Sequence, residues 1–145
     1  MTVEIRKAAG AEELAAALAL RHRVFCEEQG VPKREELDGR DGEALHLVAV
    51  RGEDGRVVGT CRLLFVDRTV QLSRLAIEPA ARRAGIASRL LAEADRAARR
   101  GRARRIVLHA QTYARALYER AGYEPRGRQF VEAGIEHVAM EKRLA

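Results

Sequence analysis

The segment "TVQLSRLAIEPAARRAGIASRLLAEADRAARR" (69–100) changes from a strand pattern to a helical one across a single short loop. Thr69 to Ile77 read as a strand that Pro79 ends. From near Gly85 to Arg100, apolar residues recur at Ile86, Leu90, Leu91, Ala94, Ala97 and Ala98. They fill one arc at helical spacing, and that arc must face a sheet. Arg89, Arg96 and Arg100 fall on the opposite arc, with Glu93 within a turn. This is the pattern of a solvated face with local ion pairs, each worth about 0.2–0.5 kcal/mol.

The junction between the two patterns suits an anion. Arg82, Arg83, Ala84, Gly85, Ile86, Ala87 and Ser88 span the loop and the first helical turn. A helix N-terminus carries unpaired N–H groups and a partial positive charge, so phosphates settle there. Gly85 lets backbone approach a pyrophosphate closely, Ala87 adds no bulk, and two arginines add charge at the rim. The competing reading is a basic arm for nucleic acid running on to Arg105. Aromatic residues are only 4% of the chain and none interleaves with these arginines, so stacking platforms for single strands are missing from the stretch.

The remaining elements fit around this unit. "TVEIRK" alternates as a strand, and "AEELAAALALRHRVFCEEQG" is rich in helix formers, with Leu14, Leu18, Val24 and Phe25 as its apolar positions. Gly30 and Pro32 stop that helix. "VPKREELDGRDGE" is acidic and turn-rich, with room for one helical turn. "ALHLVAVRG" and "RVVGTCRLLFV" form a hairpin through "EDG", and "TVQLSRLAI" extends the meander. "RRIVLHA" is a strand, "YARALYERAG" a helix closed by Gly122, and "GYEPRGRQFVEAG" with "IEHVAMEKRL" a final strand pair. The order β-α-β-β-β-α-β-α-β-β predicts an α+β fold around one mixed sheet of six to seven strands flanked by helices.

Length and composition agree. A chain of 145 residues suits a single domain over 1–145, and 47% hydrophobic with 33% charged residues describes an ordinary globular protein. The net charge of +6 favours anionic ligands. Cys26 and Cys61 stand far apart without CxxC spacing and read as free thiols. No apolar run approaches membrane-spanning length and "MTVEIRKAAG" has no signal-peptide core, so the expected location is cytoplasmic. His109 and His137 lie on separate strands and show no zinc-ligand spacing with either cysteine, so no metal is expected.

Four segments in order resemble the GNAT superfamily of acyl-CoA-dependent N-acetyltransferases. "LSRLAIEPAARRAGIASRLL" is similar to its strand and pyrophosphate loop, and "ALYERAGYE" to its Tyr-containing segment. "RHRVFCEEQGVPKREELDGRD" and "HAQTYARALYERAGYEPRGRQFVEAGIEHVAMEK" resemble a narrower, ElaA-like branch. The resemblance implies a GNAT-like fold, acetyl-CoA as cofactor and acetyl transfer to a primary amine by direct attack. It implies that the backbone of Leu75, Ala76 and Ile77 pairs with the pantetheine arm. Residues 82–88 would surround the pyrophosphate, and Tyr118 would act as general acid toward the leaving thiolate. The acceptor is a small-molecule amine or a protein amine, with no nucleic acid or membrane partner, and the chain a monomer or homodimer.

Two positions depart from the family pattern. Gln111 or Thr112 stands where many members carry an asparagine that meets the cofactor, and Gln71 where several carry a glutamate base. Gln71 cannot usefully accept a proton, which leaves His46, Glu28, Asp38 and His137 as candidate bases, with His46 named tentatively. It also keeps open a CoA-binding sensor that has lost catalysis. The acidic residues Glu27, Glu28, Glu35, Glu36, Asp38 and Asp41 are either a solvated loop or, the reading the branch favours slightly, the acceptor side of a cleft selecting a cationic amine.

Overall fold

The computed structural model describes residues 1–144. Strand β1 (Val3–Lys7) leads into helix α1 (Gly10–Arg21), which continues as a π-helical stretch over His22–Glu28. A one-turn helix α2 (Lys33–Glu36) and a 3₁₀ turn (Asp41–Glu43) follow. Strands β2 (Leu45–Arg51), β3 (Val57–Val66) and β4 (Thr69–Ile77) form the meander. Helix α3 (Ile86–Arg100), strand β5 (Arg105–Gln111), helix α4 (Arg115–Arg120) and the hairpin β6 (Glu124–Glu132) and β7 (Ile135–Arg143) complete the order read from the sequence.

One seven-stranded sheet holds them in the order β1-β2-β3-β4-β5-β7-β6. Every pairing is antiparallel except β4 with β5. A parallel neighbour needs a crossover, and α3 is that crossover. Its buried residues are the six apolar ones of the predicted arc, Ile86, Leu90, Leu91, Ala94, Ala97 and Ala98. They pack on Leu47, Ala49, Leu63, Val70, Ile106 and neighbours in the main core. On the outer arc Arg96 and Arg100 pair with Glu93, while Arg89 donates to the Val3 carbonyl.

The other face is covered only in part. α1 lies over β2, β3 and β4 and closes a smaller core of Ala17, Leu20, Val24, Val48, Val50, Val57 and Ala76. The expected apolar stripe through Leu14 and Leu18 is displaced, since both are half-buried while Ala17, Leu20 and Arg21 face the sheet. Leu14 and Leu18 fit the helical period equally well; what selects the other row is an arginine with buried partners. The predicted single helix also widens near its end. Gln29 N–H reaches back five residues to Val24 O, an arrangement often placed at functional sites.

Candidate active site

β4 and β5 pair only over Thr69–Gln71 with Arg105–Val107, although β4 runs on to Ile77 and β5 to Gln111. Beyond Gln71 the two strands part, leaving an opening inside the sheet. β4 stays bound to β3 up to the Ile77–Gly59 pair, so its edge toward β5 carries backbone groups free for an extended ligand. Leu75, Ala76 and Ile77 all lie on this parted stretch.

A bulge makes β4 turn there. Thr60 pairs with Ala76 but Arg62 with Ser73, so β4 carries the extra residue opposite Cys61. Arg74 absorbs it with φ of 59°, unusual for a residue with a side chain. The inward face switches with it: Val70 and Leu72 point to the main core before the bulge, Leu75 and Ile77 after it. The sequence shows a trace of this, because the apolar spacing changes from two to three between Leu72 and Leu75.

At the end of β4 the chain passes a 3₁₀ turn (Pro79–Ala81) and coils through Arg82–Gly85 into α3. Arg83 and Gly85 both take positive φ, 65° and 77°, a geometry that gathers successive N–H groups into one concavity. Among the described residues no side chain caps α3, and no acidic residue lies in its first turn. The N–H groups of Ile86, Ala87 and Ser88 are therefore free for an anion. Arg82 donates to Ile77 O at 3.1 Å and grips Glu28 with both terminal nitrogens, at 2.7 and 2.6 Å. Next to Glu28, Gln29 and Gln111 join amide to amide at 2.9 Å. The end of the π-helical stretch thus touches both walls of the opening.

Tyr118 enters from the α3 side. Its ring meets Tyr123 edge-on at 6.0 Å, and burial, helped by nearby Cys61 and Tyr113, holds its hydroxyl above the ordinary phenol range. The group is protonated at neutral pH, and among the described residues its hydroxyl makes no hydrogen bond. Cys61 lies opposite the β4 bulge, so the phenol and the bulge share one level. The Cys61 thiol is itself pushed up to about 12 by burial, which keeps it unreactive.

His46 sits on β2, two strands from the opening, about 10 Å at ordinary strand spacing. Its Nε2 bonds to Asp41 O at 2.9 Å, while Nδ1 is buried without a partner. Of the six acidic residues, Glu27, Glu28, Glu35 and Asp38 are exposed, while Glu36 is buried and Asp41 half-buried. Glu36 bonds to Arg21 at 2.6 Å, Asp41 to Arg21 at 2.8 Å, and Asp38 to Arg62 twice at 2.8 Å. Arg74 adds bonds to the Glu36 carbonyl and carboxylate. Arg21, Arg62 and Arg74 neutralise Glu36, Asp38 and Asp41 and pin the 33–43 loop to the bulge. Residue types alone did not reveal this pairing. Gln71 accepts from Arg40 at 3.5 Å. Among the described residues no His, Cys, Asp or Glu side chains group as metal ligands, and no helix is long and apolar enough to cross a membrane.

The fold as a whole is that of the acyl-CoA N-acyltransferases. An acyl-CoA N-acyltransferase from Pseudomonas aeruginosa shares it with a TM-score of 0.84 and 31% identity, covering 98% of this chain and 99% of its own, so the likeness is of whole chains. Escherichia coli ElaA superposes at a TM-score of 0.87 over 98% of this chain and 100% of its own; at 23% identity that likeness is one of fold. The uncharacterized N-acetyltransferase YjcF of Bacillus subtilis is 35% identical over 132 residues, 90% of this chain and 93% of its own. The acetyltransferase (GNAT) domain family matches residues 8–144, and the chain belongs to that family.

Proposed function

We propose that residues 1–145 act as one transferase unit that moves an acetyl group from acetyl-CoA to a primary amine by direct attack. The parting of β4 from β5 carries this reading, because it leaves a strand edge that an extended amide-bearing arm can pair with. The loop from Arg82 to Ser88 would hold the pyrophosphate on its N–H groups, with Arg82 and Arg83 adding charge. The bound cofactor supplies the activated acetyl group. The parted β4 edge would polarise its carbonyl and fix it for the amine, and Tyr118 would give its proton to the departing sulfur. A buried, protonated phenol with no protein partner suits that last task.

Thermal unfolding with acetyl-CoA and thiol release with a panel of amines test this directly. Saturating cofactor should raise Tm by ligand linkage. Tyr118→Phe should lower kcat by about 10²-fold or more, the lower range for a positioned acid, with that stabilisation intact. No Tm shift, or a Tyr118→Phe enzyme with unchanged kcat, overturns the assignment. A CoA-binding sensor is the second reading, favoured by Gln71 in place of a carboxylate. It predicts the Tm shift without any thiol release.

A further inference from the structure

α1 covers only β2 to β4, and among the described residues the same face of β5, β7 and β6 meets only the end of the π-helical stretch, where Gln29 reaches Gln111. On this half lies a cluster around His137, which is 7% exposed and roofed by its neighbours rather than by a helix. His137 on β7 pairs directly with Gln111 on β5 and with Phe130 on β6. Directly opposed residues point to the same face, so all three share it. The Phe130 ring stacks on His137 at 5.9 Å with 22° between planes and meets His109 edge-on at 4.9 Å. Glu132 lies between the histidines, 3.1 Å from His109 Nδ1 and 3.8 Å from His137 Nε2.

The two ring nitrogens of His137 are not equivalent. Nδ1 is 2.7 Å from Ile135 O, which can only accept, so Nδ1 carries the proton in the neutral ring. Nε2 is left with a lone pair. The Glu132 carboxylate, 3.8 Å away, is too far for a hydrogen bond and leaves that lone pair unoccupied. Orienter, base and counter-charge are therefore in place. The site is one strand, about 5 Å, from the β5 wall of the opening, at the Gln111 end where β4 has parted.

We propose that His137 Nε2 accepts the proton of the incoming ammonium, with Glu132 as its counter-charge; this rests on the direct transfer proposed above. The acceptor would approach over this face of β5 and β7. His137 takes one proton from the ammonium and releases it to solvent. The freed nitrogen then forms its bond to the acetyl carbon as the carbon–sulfur bond breaks. Tyr118 protonates the sulfur and recovers a proton from the acylated nitrogen through water. The products are an amide, the free thiol and one proton. The titratable groups brought against His137 are Glu132 from β6 and, through Glu132, His109 from β5. Gln111 and Gln29 beyond it are neutral.

Two measurements test the proposal. In ¹⁵N imidazole spectra of the whole chain, neutral His137 should be the Nδ1–H tautomer; the Nε2–H tautomer overturns it. His137→Asn keeps a donor for Ile135 O but removes the base. With the amine from the panel that wild type turns over fastest, kcat should fall by about 10²-fold or more at neutral pH. The acetyl-CoA Tm shift should stay, and the loss should shrink as pH rises toward the amine's own pKa. Glu132→Gln should lower kcat with the same amine and leave the acetyl-CoA Tm shift in place, because the carboxylate beside the base is lost. Turnover by His137→Asn within two-fold of wild type overturns this proposal alone. Stabilisation by acetyl-CoA with no thiol release from any amine overturns the transfer reading, and this one with it.

Discussion

Glu28 and Arg82 form a two-pronged ion pair at 2.6 and 2.7 Å that joins the end of the π-helical stretch to the loop before α3. Arg82 is one of the two arginines proposed to meet a pyrophosphate, so Glu28 occupies the guanidinium that an anion would need. The pair is two-fifths exposed on both sides, where such contacts are worth about 0.2–1 kcal/mol. Glu28→Gln should tighten CoA binding by up to about five-fold, because 1.4 kcal/mol is a factor of ten. Calorimetric titration at low and moderate salt measures it. Weaker binding in the variant would show that Glu28 positions Arg82 rather than competing for it.

Much of this site was legible because it is local. The arc from Ile86 to Ala98 obeys one period, and the loop before it combines glycine with arginines at a strand-to-helix junction. The bulge was less legible, since Arg74 adopts a conformation that its side chain disfavours and only the changed spacing between Leu72 and Leu75 betrays it. The partners of the acidic loop were not legible, for a physical reason. Glu36, Asp38 and Asp41 find counter-ions 15 to 38 residues away, and charge patterning along a chain does not disclose partners at such separations. Glu132 was missed likewise: it gains meaning only when β5, β6 and β7 bring two histidines to it.

Arg21 and Glu36 are 1% and 3% exposed, the most buried ion pair of the molecule among the described residues. Removing one partner of a buried pair costs about 3–5 kcal/mol, because the other charge stays in a poor solvent. Glu36→Ala should sit near 3 kcal/mol, since Arg21 retains Asp41. The double variant Arg21→Met with Glu36→Leu should recover much of that loss in chemical denaturation. A Glu36→Ala protein as stable as wild type would mean that water enters beneath α2.

The same network sets the response to acid. Hydrogen bonds from Arg62 hold the Asp38 carboxyl well below the usual carboxylate range. Burial pushes Asp41 up, but its bonds to Arg21 and Arg62 outweigh that and leave it lowered. Both groups have lower pKa values folded than unfolded, so the stability they contribute is complete above the unfolded value of about 4. It is lost as pH falls from there toward their folded values. Tm should be nearly flat from pH 7 to about 5 and drop below about pH 4, and Asp38→Asn should start lower and drop less steeply. Equal slopes below pH 4 would assign the acid sensitivity to other carboxylates.

Gly59 on β3 ties the sheet to the start of α3. A Cβ there would lie 3.0 Å from Ile86 Cγ2, 3.1 Å from Ile77 Cδ1 and 3.2 Å from the Ala49 Cβ. Overpacking of this kind costs about 1–3 kcal/mol. Ile86 is the first residue of α3, and its own N–H is one of those offered to the pyrophosphate. Gly59→Ala should therefore lower Tm and also weaken acetyl-CoA binding, two effects from one methyl group. Gly42 has nothing within 4 Å of its virtual Cβ, so Gly42→Ala is the control and should stay within about 0.5 kcal/mol of wild type. If Gly59→Ala loses stability yet binds cofactor normally, the first turn of α3 yields without moving its N–H groups, and the link between packing and the anion site is broken.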